Sequence, residues 1–114
     1  MSVTGLHALI YTPAVEDLRT LLTDAFGFSH VDAGEGWLIY ALPPAELGVH
    51  PASAPHCALS FMCDDLTSTM TELREKGVSF NGEPEEHRWG AAVTMVLPGG
   101  VEMLLYQPRH PTAH

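Results

Sequence analysis

Two histidines interrupt runs that otherwise read as apolar strands: His7 in GLHALIY (5–11) and His56 in HCALSFM (56–62). Two carboxylates, Glu46 and Glu102, occupy similar places in a pair of echoing stretches, LPPAELGVHP (42–51) and LPGGVEMLLYQP (97–108). Imidazoles and carboxylates move protons near neutral pH or ligate divalent cations, but only where the fold brings them together. The alternative for such residues is plainer: polar groups lining a wet groove, hydrogen-bonded to water or backbone. What decides between these is which elements carry them and which way the side chains point.

Periodicity predicts two helices. VEDLRTLLTDAF (15–26) lines up Val15, Leu18, Leu21, Leu22, Ala25 and Phe26 on one face and stops at Gly27. DDLTSTMTELREKG (64–77) opens on a capping aspartate, carries Leu66, Met70 and Leu73 on one face, and ends in basic residues and Gly77. Each is preceded by one strand-like run and followed by three. In the first half these are 6–11, 28–31, 37–42 and 46–50; in the second, 56–62, 78–80, 91–97 and 101–106. Turns are expected at AGEG, PP, NGEP and PGG. The chain therefore reads as an α+β fold of two βαβββ modules, 1–51 and 56–110, joined by the linker 51–55 within one domain spanning 1–114.

Strand alternation orients the side chains. Leu6, Ala8 and Ile10 are expected under the helices, with His7, Leu9 and Tyr11 on the other face. Likewise Cys57, Leu59 and Phe61 point to the helices and His56, Ala58, Ser60 and Met62 away; Met103 and Leu105 point in, and Glu102, Leu104 and Tyr106 out. The outer face mixes these polar groups with Leu9, Tyr11, Met62, Leu104 and Tyr106, the make-up of a cavity wall for a small molecule. Trp89, in the polar stretch EEHRWG (85–90), is placed to stack on a planar ligand or to close the core edge.

The paired modules, the interval from His7 to Gly27-Phe28, and the run HCALSFMCDDL (56–66) resemble the vicinal oxygen chelate superfamily, the glyoxalase, bleomycin-resistance and extradiol dioxygenase group. The resemblance spans nearly the whole chain. It implies an open, U-shaped mixed sheet with helices outside and metal ligands projecting from first and last strands of the modules. His7 stands at the first-strand ligand position, and His56 precedes Asp65 by the interval found in fosfomycin-resistance thiol transferases. A shorter interval, used in other branches, falls on Ala58. In the last strand Glu102 is the carboxylate, although counting back from Tyr106-Gln107-Pro108 puts the position at Leu104.

His7, His56 and Glu102 are accordingly the expected metal ligands, for Zn, Ni, Mn or Fe(II), with open positions for substrate oxygens. Such an ion acts as a Lewis acid on an enolate, alkoxide or leaving oxyanion. Glu46 or His50 supplies a fourth ligand or a general base beside Glu102. Two function classes follow: a metal-dependent enzyme of lyase, isomerase, thiol-transferase or dioxygenase type, or a metal-free protein that sequesters a drug or metabolite. Tyr11, Met62, Trp89 and Tyr106 are the expected ligand contacts, and the resemblance implies a homodimer.

Composition narrows the partners. Five basic against fourteen acidic residues give a formal charge of -9, which disfavours nucleic acid and anionic membranes and favours neutral or cationic small ligands. The sequence contains no apolar run long enough to span a bilayer, and MSVTGLHALIYTP has neither the basic start nor the cleavage site of a secretory leader, so a cytoplasmic location is expected. Cys57 and Cys63 share one strand and are expected as reduced, buried thiols. Gly99-Gly100 joins two strands and opens no helix, so it reads as a hairpin turn and not a phosphate loop.

Overall fold

The computed structural model describes residues 6–114; the stretch read as carrying no leader lies partly outside them, in residues 1–5. The elements run α1 (Val15–Asp24), β1 (His30–Asp32), β2 (Leu38–Tyr40), β3 (Ser60–Met62), α2 (Leu66–Glu75), β4 (Ser79–His87), β5 (Gly90–Leu97) and β6 (Val101–Pro108). β1 and β2 form a small antiparallel hairpin, while β3, β6, β5 and β4, in that order, form an open mixed sheet. β3 runs parallel to β6 and the remaining pairs are antiparallel. The fold is α+β, as expected.

The helix ends follow local chemistry. Asp65 caps α2 by accepting from the Ser68 N–H at 3.1 Å. At the other end the Val78 and Gly77 N–H groups donate to Leu73 O and Arg74 O, with Gly77 at φ +95° taking the left-handed position that closes the helix. α1 lacks a side-chain cap of its own, but Thr12 Oγ1 accepts from Ala14 N and donates to Pro98 O at 2.8 Å. That threonine ties the entry of α1 to the β5–β6 turn.

The core lies between the helices and one face of the larger sheet. α2 contributes Leu66, Met70 and Leu73, β5 contributes Ala91, Val93, Met95 and Leu97, β6 contributes Met103 and Leu105, and α1 adds Leu18. Met95 and Leu97 are the most deeply enclosed; side chains of this kind each contribute about 1.5–3 kcal/mol by leaving water. Phe26, Phe28 and Phe61 form an aromatic cluster, with centroids 5.3–5.6 Å apart, at the border between the α1 side and β3.

Four expectations about elements are corrected. Among the described residues, 6–11 and 46–50 carry no strand ladder, and only Ser60–Met62 of the expected 56–62 strand pairs. Leu6 and Ala8 are exposed and do not lie under the helices; Ile10 alone of that set packs against the core. A ladder needs a partner edge, and the described residues offer none to 6–11 and 46–50. Second, β4 extends to His87, through the expected NGEP turn. Its register shifts between Asn81 and Glu85, where Gly82 supplies φ +79° and Pro84 needs no N–H partner; both are tolerated because β4 is an edge strand. Third, Trp89 consequently sits in a two-residue hairpin turn, between the paired residues His87 and Gly90, and not in a polar loop. Last, Cys57 is exposed and only Cys63 is half-buried; both are free thiols.

Candidate ligand-binding face

The site grows from the strand alternation of β6. Met103 and Leu105 enter the core while Glu102, Leu104 and Tyr106 project from the opposite face, as the sequence predicted. In register, Tyr106 lies between Met62 of β3 and Ala92 of β5, and Ala92 lies beside Glu85 of β4. Side chains directly opposite on paired strands share a face. This face therefore carries Ser60, Met62, Glu102, Leu104, Tyr106, Thr94, Ala92, Glu85 and His87. Ala92 and Gly90 are small and buried, which leaves the larger rings of β6 and the β4–β5 turn to rise around them.

Those rings form a connected row. The His87 imidazole stacks on the Trp89 ring, with centroids 4.7 Å apart and planes 5° from parallel. Trp89 meets Tyr106 nearly at right angles, at 5.5 Å and 82°. Tyr106 in turn tilts against His110, whose Nε2 lies 3.3 Å from the phenol oxygen. Burial, and then the nearby Glu46 carboxylate, push the Tyr106 phenol above its ordinary value, so the neutral hydroxyl is favoured. Trp89 remains 41% exposed, an aromatic ring available at the rim.

Two hollows flank this row along β6. A groove of about 620 Å³ is lined by residues 9–11, 57–60 and 101–104 together with Thr94, and so includes Tyr11 and Glu102. A smaller one of about 190 Å³ is lined by Glu46, Met62, Cys63, Asp64, Thr112 and His114, among others. Glu46 Oε1 accepts from the Ala113 N–H at 2.9 Å, which fastens the segment after β6 to the first half of the chain. Burial is also the main cause that raises the Cys63 thiol, with Asp64 and Asp65 adding to it against a hydrogen bond from Thr69.

Of the expected residues, Met62, Trp89 and Tyr106 are brought together, with Glu46 close to Tyr106. Tyr11 and Glu102 meet at the larger groove. His7 and His56 are exposed and line neither hollow; His56 Nδ1 lies 3.3 Å from Ala54 O. Among the described residues, no three His, Cys, Asp or Glu side chains stand close enough to hold a metal ion. His7, His56 and Glu102 thus form no such cluster among the described residues. His87 and His110 also belong to the aromatic row, although the sequence analysis singled out neither. The expected NGEP turn concealed His87, because it hid the strand alternation that places Glu85 and His87 on one face.

A protein-family model, the Glyoxalase/Bleomycin resistance protein/Dioxygenase superfamily, matches residues 6–105. Among solved structures, the chain is similar to TnmS3, an antibiotic binding protein from Streptomyces sp. CB03234, with 22% identity, a TM-score of 0.68, and coverage of 95% of this chain and 98% of the other. A superfamily member from Sphaerobacter thermophilus DSM 20745 shares 21% identity at a TM-score of 0.64, covering 94% of this chain and 99% of that one. A lactoylglutathione lyase from Agrobacterium tumefaciens shares the fold at 11% identity and a TM-score of 0.65, covering 94% and 96%. Among curated proteins, none matches significantly.

Proposed function

The chain belongs to the glyoxalase/bleomycin resistance protein/dioxygenase superfamily, and we propose that within it this protein binds and sequesters a small planar molecule, neutral or cationic, without a resident metal. One observation carries this reading: the half-exposed Trp89 ring stands at the rim of the helix-free sheet face, braced edge-to-face against Tyr106. A half-exposed aromatic ring at the rim of a sheet recognises flat, apolar ligand surface. Glu46, Glu85 and Glu102 on or beside the same face, in a chain of net charge -9, favour a positive ligand over an anion. The similarity to a protein described as antibiotic binding agrees with this class of ligand.

The reading includes a homodimer. Leu6, Tyr11, Leu42, Leu47 and Val49 are all more than half exposed, and Leu47 and Val49 reach 88% and 94%. Leu6, Tyr11, Leu47 and Val49 fall on segments that form no strand ladder among the described residues. A second copy of this chain is the partner that would cover them.

Binding is tested by titrating tag-free protein, with Trp37→Phe so that Trp89 alone reports, against the flat cation proflavine and the anion fluorescein. Saturable quenching by proflavine and none by fluorescein is the expected result. Metal analysis of the same preparation tests the competing reading, a metal-dependent enzyme using His7, His56 and Glu102 with donors supplied across a dimer. Stoichiometric Zn, Ni, Mn or Fe that disappears in His7→Ala would overturn sequestration without a metal.

A further inference from the structure

We propose that His87 occupies the stacking position that a planar ligand takes on Trp89, and so sets the affinity of the site. The inference rests on the binding reading above and adds to it a residue that tunes the ligand's access. Its ground is the geometry of the pair: an imidazole and an indole 5° from parallel with centroids 4.7 Å apart, the arrangement of an offset aromatic stack. One plane of Trp89 is thereby covered by a ring from its own chain.

The two rings are held very differently. Trp89 is anchored by its backbone, since its carbonyl accepts from Arg109 N at 2.8 Å, and by its contact with Tyr106, which sits mid-strand in β6. The backbone bond holds its Cα beside the end of the β5–β6 ladder, and the phenol braces its ring. The place opposite His87 on β5 is Gly90, where an added Cβ would come within 2.2 Å of Gln107 O, so no side chain from β5 fills that place or pins the imidazole. The polar contact of the His87 ring is with Glu85 Oε2 at 3.6 Å, longer than a hydrogen bond, and both side chains are substantially exposed. Arg88, Glu86 and Arg109 are the other charged groups of this corner; Arg109 pairs with Glu86 and leaves His87 to Trp89.

A flat ligand arriving at the rim thus meets a fixed indole with a loosely held cover. Rotation about the two side-chain torsions of His87 opens the plane. The ligand then gains the stack that the imidazole gives up, and its net affinity is reduced by that exchange.

The test measures proflavine affinity for wild type, His87→Ala, His87→Phe and Trp89→Ala. Removing the cover in His87→Ala should tighten binding about two- to tenfold, the worth of one aromatic stack. A larger apolar ring in His87→Phe should weaken it. By NMR, the His87 ring protons should lose the Trp89 ring-current shift when the dye saturates the protein. Affinity unchanged or weakened in His87→Ala, or a His87 shift that persists in the complex, overturns this inference while leaving the binding reading intact. Undiminished binding by Trp89→Ala overturns the binding reading itself. Circular dichroism of each variant checks that the exposed substitutions leave the fold in place.

Discussion

Trp89, in the turn after β4, and Tyr106, in the middle of β6, are far apart in sequence yet meet at 5.5 Å with their ring planes at 82°. The contact exists because β5 folds back along both neighbours, with Ala92 paired to Tyr106 on one side and Glu85 on the other. If these rings form the ligand platform, the indole contributes the exposed plane and the phenol its support. Trp89→Ala should therefore lower proflavine affinity at least about tenfold, roughly 1.4 kcal/mol. Tyr106→Phe keeps the ring and should stay within about twofold of wild type. Isothermal titration calorimetry of the two variants separates the contributions; equal losses would show that the phenol hydroxyl binds the ligand directly.

The entry to α1 depends on a glycine far away in sequence. Gly99 sits at φ +86°, and a Cβ there would lie 1.8 Å from Thr12 Oγ1. Gly99→Ala should destabilise the protein by about 1–3 kcal/mol through backbone strain, with a steric cost added. Thr12→Ala, which removes the bond to Pro98 O, should cost about 0.5–1.5 kcal/mol. The double variant should lose less than the sum, because shortening residue 12 relieves the clash. Urea denaturation of the four proteins measures this; strict additivity would mean that the two sites are not in contact.

How far the sequence reveals this architecture can be followed residue by residue. Leu18, Leu66, Met70 and Leu73 repeat at helical spacing, and the inward pair Met103 and Leu105 alternate with Glu102, Leu104 and Tyr106; these periods report burial directly, so core and outer face were legible. The edge strand β4 was not, since Gly82 and Pro84 carry turn signals that an edge bulge also accepts. His87 went unnoticed for that reason: its face depends on a register that the bulge resets. His7 and His56 sit in strand-like runs, but a period of two says which face a side chain takes only once a ladder forms, and neither residue is in one here.

The Tyr106 phenol gives a pH signature. Burial first, and Glu46 second, hold it above the ordinary tyrosine range, so the folded state keeps this proton to higher pH than the unfolded chain does. The resulting stabilisation is fully present below the ordinary tyrosine value of about 10 and is lost as pH rises through the folded midpoint. Glu46→Gln removes the like-charge repulsion and should move the midpoint down, without abolishing the burial effect. Absorbance titration at alkaline pH, taken as the difference from Tyr106→Phe, measures it. A midpoint unmoved by Glu46→Gln would place the carboxylate too far from the phenol to couple.

Leu47 and Val49 are almost fully exposed, in a stretch where alternation was expected to build a strand. Side chains of this kind cost about 1.5–3 kcal/mol each to leave in water instead of burying, and residues 46–50 are in no ladder among the described residues, which leaves their backbone open to pairing with another strand. In the proposed homodimer a second copy of the chain would satisfy both needs at once, and Leu6 and Tyr11 are likewise largely exposed. Val49→Asp and Leu47→Asp should each shift the protein from dimer to monomer while leaving the Met95 and Leu97 core untouched. Analytical ultracentrifugation across a concentration series gives the answer, with near-ultraviolet circular dichroism reporting on the aromatic row. A wild type that sediments as a monomer at all concentrations sinks the dimer, and a variant that remains dimeric moves the interface elsewhere.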